Sequence, residues 1–97
     1  MYGSVSRWRV KDGKQAELEA LTAELMRERA PGSRAVYVYR SDNDPAEYWV
    51  AGIFDSREAY TSNSASPEQD ERFRRLRELL DADPEWHDGE VIVAETT

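Results

Sequence analysis

The chain has 97 residues, with 20 acidic and 13 basic side chains and a formal net charge of −7. That length fits one domain, residues 1–97, with a thin core. The acidic surface repels phosphate backbones and anionic lipid headgroups, so neither nucleic acid nor membrane is expected as a partner.

No cysteine is present, which removes disulfides, thiolate metal sites and cysteine nucleophiles. Met1-Tyr2-Gly3-Ser4 carries neither a basic nor a long apolar leader. No apolar run approaches the ~20 residues of a membrane helix. A cytoplasmic location is the expectation.

Tyr2 to Val10 reads as a strand with Tyr2, Ser4, Ser6, Trp8 and Val10 on one face. Lys11-Asp12-Gly13 is a turn. Asp12 is expected to cap a helix from about 13 to 29, with Gln15 as its reciprocal partner. Leu18, Leu21 and Leu25 give that helix its apolar stripe, and Pro31-Gly32 stops it.

Residues 35–40 read as the next strand, with Val36 and Val38 opposite Tyr37 and Tyr39. Ser41-Asp42-Asn43-Asp44-Pro45 is a polar turn, and residues 47–54 return. The return strand is apolar on both faces, Tyr48, Val50 and Phe54 against Trp49, Ala51 and Ile53, so both faces need a cover. Asp55-Ser56-Arg57-Glu58 and Ser66-Pro67-Glu68-Gln69 each open a helix, giving a broken second helical region. Its longer piece carries Phe73, Leu76, Leu79 and Leu80 inward. Asp83-Pro84 ends it, and residues 91–94 read as the last strand.

The order β-α-β-β-α-β is the ferredoxin-like arrangement of an α+β domain. Two helices on one face of a four-stranded antiparallel sheet leave the other face, with Trp49 and Ile53, in water. Pairing with a second copy would cover it, so a homodimer is expected.

Four arginines, Arg72, Arg74, Arg75 and Arg77, cluster late in the chain. Glu68, Asp70 and Glu71 stand four residues before the first three, which predicts a self-neutralised helix face. His87, beside Asp88, is the sole histidine. It has no second histidine for a metal and no nucleophile in a triad order, and it is expected to serve as a turn or contact residue. Asp42-Asn43-Asp44 lacks the glycine and distal glutamate of a calcium loop. No metal site is expected.

The aromatic residues Tyr2, Trp8, Tyr37, Tyr39, Tyr48, Trp49, Phe54 and Tyr60 lie in or beside the strands. They either fill a core or wall a pocket for a flat, partly polar ligand. Ser4, Ser6, Tyr60 and Asn63 among them supply polar handles.

The stretch Phe54-Asp55-Ser56-Arg57-Glu58-Ala59-Tyr60, continuing through Asn63 to Ser66-Pro67-Glu68, resembles the W-x-s-x-e-A-y/f-x-x-h-x-x-s-P segment of antibiotic biosynthesis monooxygenase domains. Val10-Lys11-Asp12-Gly13-Lys14 and Tyr37-Val38-Tyr39 after Pro31-Gly32 also resemble that family. The resemblance implies a dimeric α/β barrel. It further implies, in some members, oxidation of polycyclic phenols to quinones by O₂ without metal or flavin; no cofactor is then expected. Tyr60 falls where some quinone-forming members carry a pocket tyrosine. Phe54 replaces their tryptophan and Val50 their asparagine.

Haem-degrading members carry asparagine, tryptophan and histidine where this chain has Ser6, Asn63 and Phe73, so an axial haem ligand is missing. The resemblance therefore implies Tyr60 and Asn63 as catalytic candidates and Ser6, Trp8, Tyr48, Val50, Phe54, Tyr60 and Asn63 as a substrate pocket. Trp49 and Ile53 are the expected dimer contacts. Two readings stand side by side: an oxygenase on an aromatic or quinone-like molecule, and a non-catalytic dimeric module that binds one.

Overall fold

The computed structural model describes residues 1–97. Strand β1 is Tyr2–Arg9, helix α1 Gln15–Met26, β2 Ser33–Arg40, β3 Glu47–Phe54, α2 Arg57–Ser64, α3 Pro67–Arg77 and β4 Glu85–Glu90. The four strands form one sheet in the order β2-β3-β1-β4, antiparallel throughout, as a ferredoxin-like α+β fold requires. No helix is long and apolar enough to cross a membrane.

The alternation in β1 sets the two faces. Tyr2, Ser4, Ser6 and Trp8 are buried toward the helices, and Val5 on the other face is exposed. The register places Ser4 between Gly52 of β3 and Asp88 of β4, and Ser6 between Val50 and Trp86. Trp8, Val10, Leu18, Leu25, Tyr48, Val50, Leu76 and Leu80 form the buried cluster between sheet and helices.

The opposite face has no cover. Tyr37 is 65% exposed and Tyr39 55%, and both flank the half-buried Trp49 and Ile53. At one end of this face Glu47 accepts from Arg7 Nε at 2.5 Å, Ser41 Oγ at 2.7 Å and Trp49 Nε1 at 3.3 Å.

Both serine caps form: Ser56 Oγ accepts from Ala59 N–H, and Ser66 Oγ from Gln69 N–H, with Pro67 opening α3. Gly32 has φ +81°, and a Cβ there would lie 2.7 Å from Ala59 Cβ. Its carbonyl accepts from Asp55 N–H at 2.8 Å, so the start of β2 is pressed against α2.

Four local expectations need correction. Helix α1 is shorter than 13–29 and is capped at Lys14 without a side-chain bond. The left-handed Gly13 separates Asp12 from the helix, and its carboxylate is too far upstream to cap. Helix α3 ends at Arg77, because Leu79 and Leu80 turn back to pair with β1. Lys11 N–H donates to the Leu79 carbonyl, and Asp81 N–H to that of Arg9, each at 2.8 Å.

The last strand is Glu85–Glu90, not 91–94. Glu90 pairs with Tyr2, and Val91 N–H donates to the Met1 carbonyl at 3.0 Å. The apolar Ile92 and Val93 overshoot the sheet and are exposed. Finally, the arginines choose other carboxylates. Arg74 bonds Glu71 at 2.7 Å, Arg75 reaches across to Glu24 of α1 at 3.3 Å, and Arg77 bonds Asp83 at 2.7 Å. Only Arg75 takes its partner from α1, which lies alongside; Arg74 and Arg77 pair with carboxylates near them in the chain.

Candidate functional site

A cavity of about 510 Å³ lies between the sheet and the three helices. Its floor is the helix-facing side of the strands: Ser4, Ser6 and Trp8 of β1, Val36 of β2, Val50, Gly52 and Phe54 of β3, and Trp86 and Asp88 of β4. Leu25 and Met26 close one wall. Tyr60, Asn63, Arg72, Phe73 and Leu76 form the others. Two features open the space. The helical cover breaks between α2 and α3, and Gly52 has nothing within 4 Å of where its Cβ would stand.

Tyr60 points from α2 onto the floor. Its ring meets Tyr2 at 5.4 Å between centroids and Phe54 edge-on at 5.6 Å. Its hydroxyl donates to Asp88 Oδ1 at 2.9 Å. Burial raises the phenol pKa above its usual value. The Ser4 hydroxyl opposes that rise, and the Asp88 carboxylate adds to it. The phenol is therefore protonated through neutral pH.

Ser4 Oγ is buried and has no hydrogen-bond partner. Ser6 differs: its hydroxyl accepts from Trp8 Nε1 at 2.9 Å and makes a long 3.5 Å bond to the Val50 carbonyl. Asn63 Oδ1 accepts from Arg72 at 3.4 Å, and Arg72 Nε donates to Gln69 at 3.1 Å. Arg72 also faces Glu28 at 3.9 Å, and its side chain is only 18% exposed. On the outer wall Trp86 and Phe73 rings approach to 6.0 Å.

Of the pocket residues expected from the sequence, Ser6, Trp8, Val50, Phe54, Tyr60 and Asn63 all border this cavity. Tyr48 does not. Its hydroxyl donates to Glu19 Oε2 at 2.5 Å beside a separate, smaller hollow lined by Thr22, Ala23 and Arg40. Tyr48 stands two residues before Val50 on β3, opposite Trp8, which does border the cavity; its own hydroxyl is drawn away by Glu19. Trp49 and Ile53 face away from the cavity. His87 lies on the exposed edge strand, with Nε2 2.9 Å from Glu85. Asp42-Asn43-Asp44 is a hairpin turn in which Asp44 accepts from Arg9 and Ala46 N–H. No cluster of three or more His, Asp or Glu side chains converges as a metal set.

Arg72, Asp88 and Trp86 border the cavity without a site signal in the sequence, whereas Ser4 is one of its expected polar handles. Ser4 was legible by its parity with Ser6. Asp88 and Trp86 were not, because their strand was placed elsewhere.

These features define a class: ferredoxin-like domains whose helices enclose an aromatic-walled cavity against one face of the sheet. The antibiotic biosynthesis monooxygenase family profile matches residues 1–75, and the chain belongs to that family. It is similar in structure to a candidate antibiotic biosynthesis monooxygenase from Deinococcus radiodurans, at 17% identity and TM-score 0.84, over 100% of this chain and 98% of that one. A similar protein from Chloroflexus aurantiacus gives 24% identity and TM-score 0.82, over 98% and 96%. A mutant of SnoaB, a cofactor-independent oxygenase from Streptomyces nogalater, gives 21% and 0.82, over 96% and 94%. At these identities the likeness establishes the fold. No curated protein matches the chain in sequence.

Proposed function

We propose that the chain is a metal- and flavin-free monooxygenase that oxidises a hydroxylated aromatic molecule in the cavity beside Tyr60. The observation that carries this is the cavity itself: an aromatic and aliphatic floor large enough for a polycyclic ring, with a protonated phenol fixed at one end. Membership of the monooxygenase family and the likeness to SnoaB support the reaction type.

The substrate supplies the electrons. A ring CH₂ opposite a phenol oxygen, as in an anthrone tautomer, reacts with O₂. One oxygen atom becomes the new carbonyl and the other leaves as water with both hydrogens. Tyr60 acts as the hydrogen-bond anchor at the substrate oxygen, where the proton is lost and regained. Asn63, held by Arg72, orients the substrate, and Trp8, Val50 and Phe54 form the apolar wall. Trp49 and Ile53, with Tyr37 and Tyr39, form the contact face of a homodimer.

Aerobic and anaerobic incubation with dihydroxyanthracene-type phenols tests the reading. Wild type should form quinone faster than buffer only with O₂ present, and Tyr60→Phe should be slower. Equal rates for both proteins, no faster than buffer, would leave a binding module without turnover.

A further inference from the structure

We propose that Ser4, Tyr60 and Asp88 form a two-point recognition site for an aromatic ring edge that bears a hydroxyl group beside a second, hydrogen-bond-accepting oxygen. Asp88 is its positioning residue. The inference rests on the reading of the cavity as a ligand site, and it concerns which ring substitution that site selects.

The argument starts from donors and acceptors. An ionised carboxylate only accepts, so the Tyr60–Asp88 bond commits the phenol proton to Asp88. With its proton so committed, Tyr60 Oη can only accept, which matches a ligand hydroxyl. Ser4 supplies the opposite. Its buried hydroxyl lies near the Tyr60 oxygen, the contact that opposes the rise in the phenol pKa, but it makes no hydrogen bond of normal geometry within the chain, so its proton remains available to a ligand oxygen. A buried hydroxyl is costly to leave unpaired, and a ligand oxygen at that point recovers the lost bond.

Register brings the two together. Ser4 and Asp88 are directly paired across β1 and β4, so their side chains stand on the same face about 5 Å apart at Cβ. On its other side Ser4 is paired with Gly52, where the missing side chain leaves open space. A flat ring edge can therefore lie over Gly52 beside the Ser4 side chain, whose buried hydroxyl must turn toward it to bond. The contacts of the Tyr60 ring with Tyr2 and Phe54 keep its oxygen at this end.

The test uses three naphthalenes that do not need to react: 3-methoxy-2-naphthol, which has both groups, 2-naphthol, which lacks the second oxygen, and 2-methoxynaphthalene, which lacks the hydroxyl. Affinities are measured by titration calorimetry. Wild type should bind the first about fivefold or more tightly than either of the others, one net hydrogen bond per missing group.

Ser4→Ala should abolish the advantage over 2-naphthol and keep that over 2-methoxynaphthalene. Asp88→Asn should do the reverse, because an amide N–H can donate to Tyr60 and release the phenol proton toward the ligand. A merely structural role for either residue would weaken all three ligands together. Binding of all three with the same order of affinity in every variant would overturn the inference and leave the cavity reading intact. No saturable binding of any of them would overturn both.

Discussion

The Tyr60 hydroxyl lies 2.9 Å from Asp88 Oδ1, joining helix α2 to the edge strand β4 across the mouth of the cavity. Tyr60 is thereby held at both ends, by aromatic rings along its body and by a carboxylate at its tip. Tyr60→Phe keeps the first and loses the second. Its stability should fall by about 1 kcal/mol or less, the net worth of one partly exposed hydrogen bond, while quinone formation should drop at least tenfold. Thermal unfolding and a product-absorbance assay on the same preparation separate the two effects.

Gly32 carries the placement of α2. Replacing it with alanine forces a left-handed backbone on a residue with a Cβ and drives that Cβ into Ala59. The expected loss is about 2 kcal/mol, or a fall in Tm of roughly 10 °C for a domain of this size. A Tm within 2–3 °C of wild type, on the same scale, would show that the contact relaxes at little cost.

Glu19 gives the fold an acid sensitivity. Tyr48 and then Arg40 hold its carboxyl below the usual value of 4.5. A depressed carboxyl contributes stability that is present above its unfolded pKa and is lost as pH falls through the folded one. Urea unfolding below about pH 4.5 should therefore weaken wild type more than Glu19→Gln. Tyr48→Phe should reduce the difference, since it removes the larger cause.

The uncovered sheet face predicts association. Trp49→Glu should give monomers or insoluble protein in sizing experiments, and so should Tyr37→Glu, whose ring is already exposed and supports no core. A soluble particle of unchanged size for both variants would remove that face as the interface.

Much of the fold is legible in local chemistry. The parity of β1 and β3 and the serine caps of α2 and α3 all follow from side-chain period and backbone preference. The misread ends have one common cause: their structure depends on what they pair with. Residues 85–90 contain Glu85, His87, Asp88 and Gly89, which carry no strand signal. They become a strand because β1 offers its free edge there. Of the apolar 91–93, Val91 makes one bond to the Met1 carbonyl, and Ile92 and Val93 lie beyond it, exposed.

The cavity was legible in part for the same reason. Tyr60 and Asn63 stand three apart on a helix whose cap is plain in the sequence. Val50 and Phe54 follow from strand parity. Tyr48 shares that parity, but its hydroxyl is drawn away by Glu19, a contact no periodicity reveals. Asp88 needed the edge strand, and the partner of Arg75 needed the position of α1.

Filling the cavity floor gives the most direct test that this space takes a ligand. Gly52→Val adds a side chain where nothing lies within 4 Å and suits a strand backbone. The variant should unfold at or slightly above the wild-type temperature when free. Hydroxylated naphthalenes or anthracenes should raise the Tm of wild type and leave the variant unmoved, since only native-state binding stabilises. Equal ligand shifts for both proteins, or none for wild type, would contradict the account.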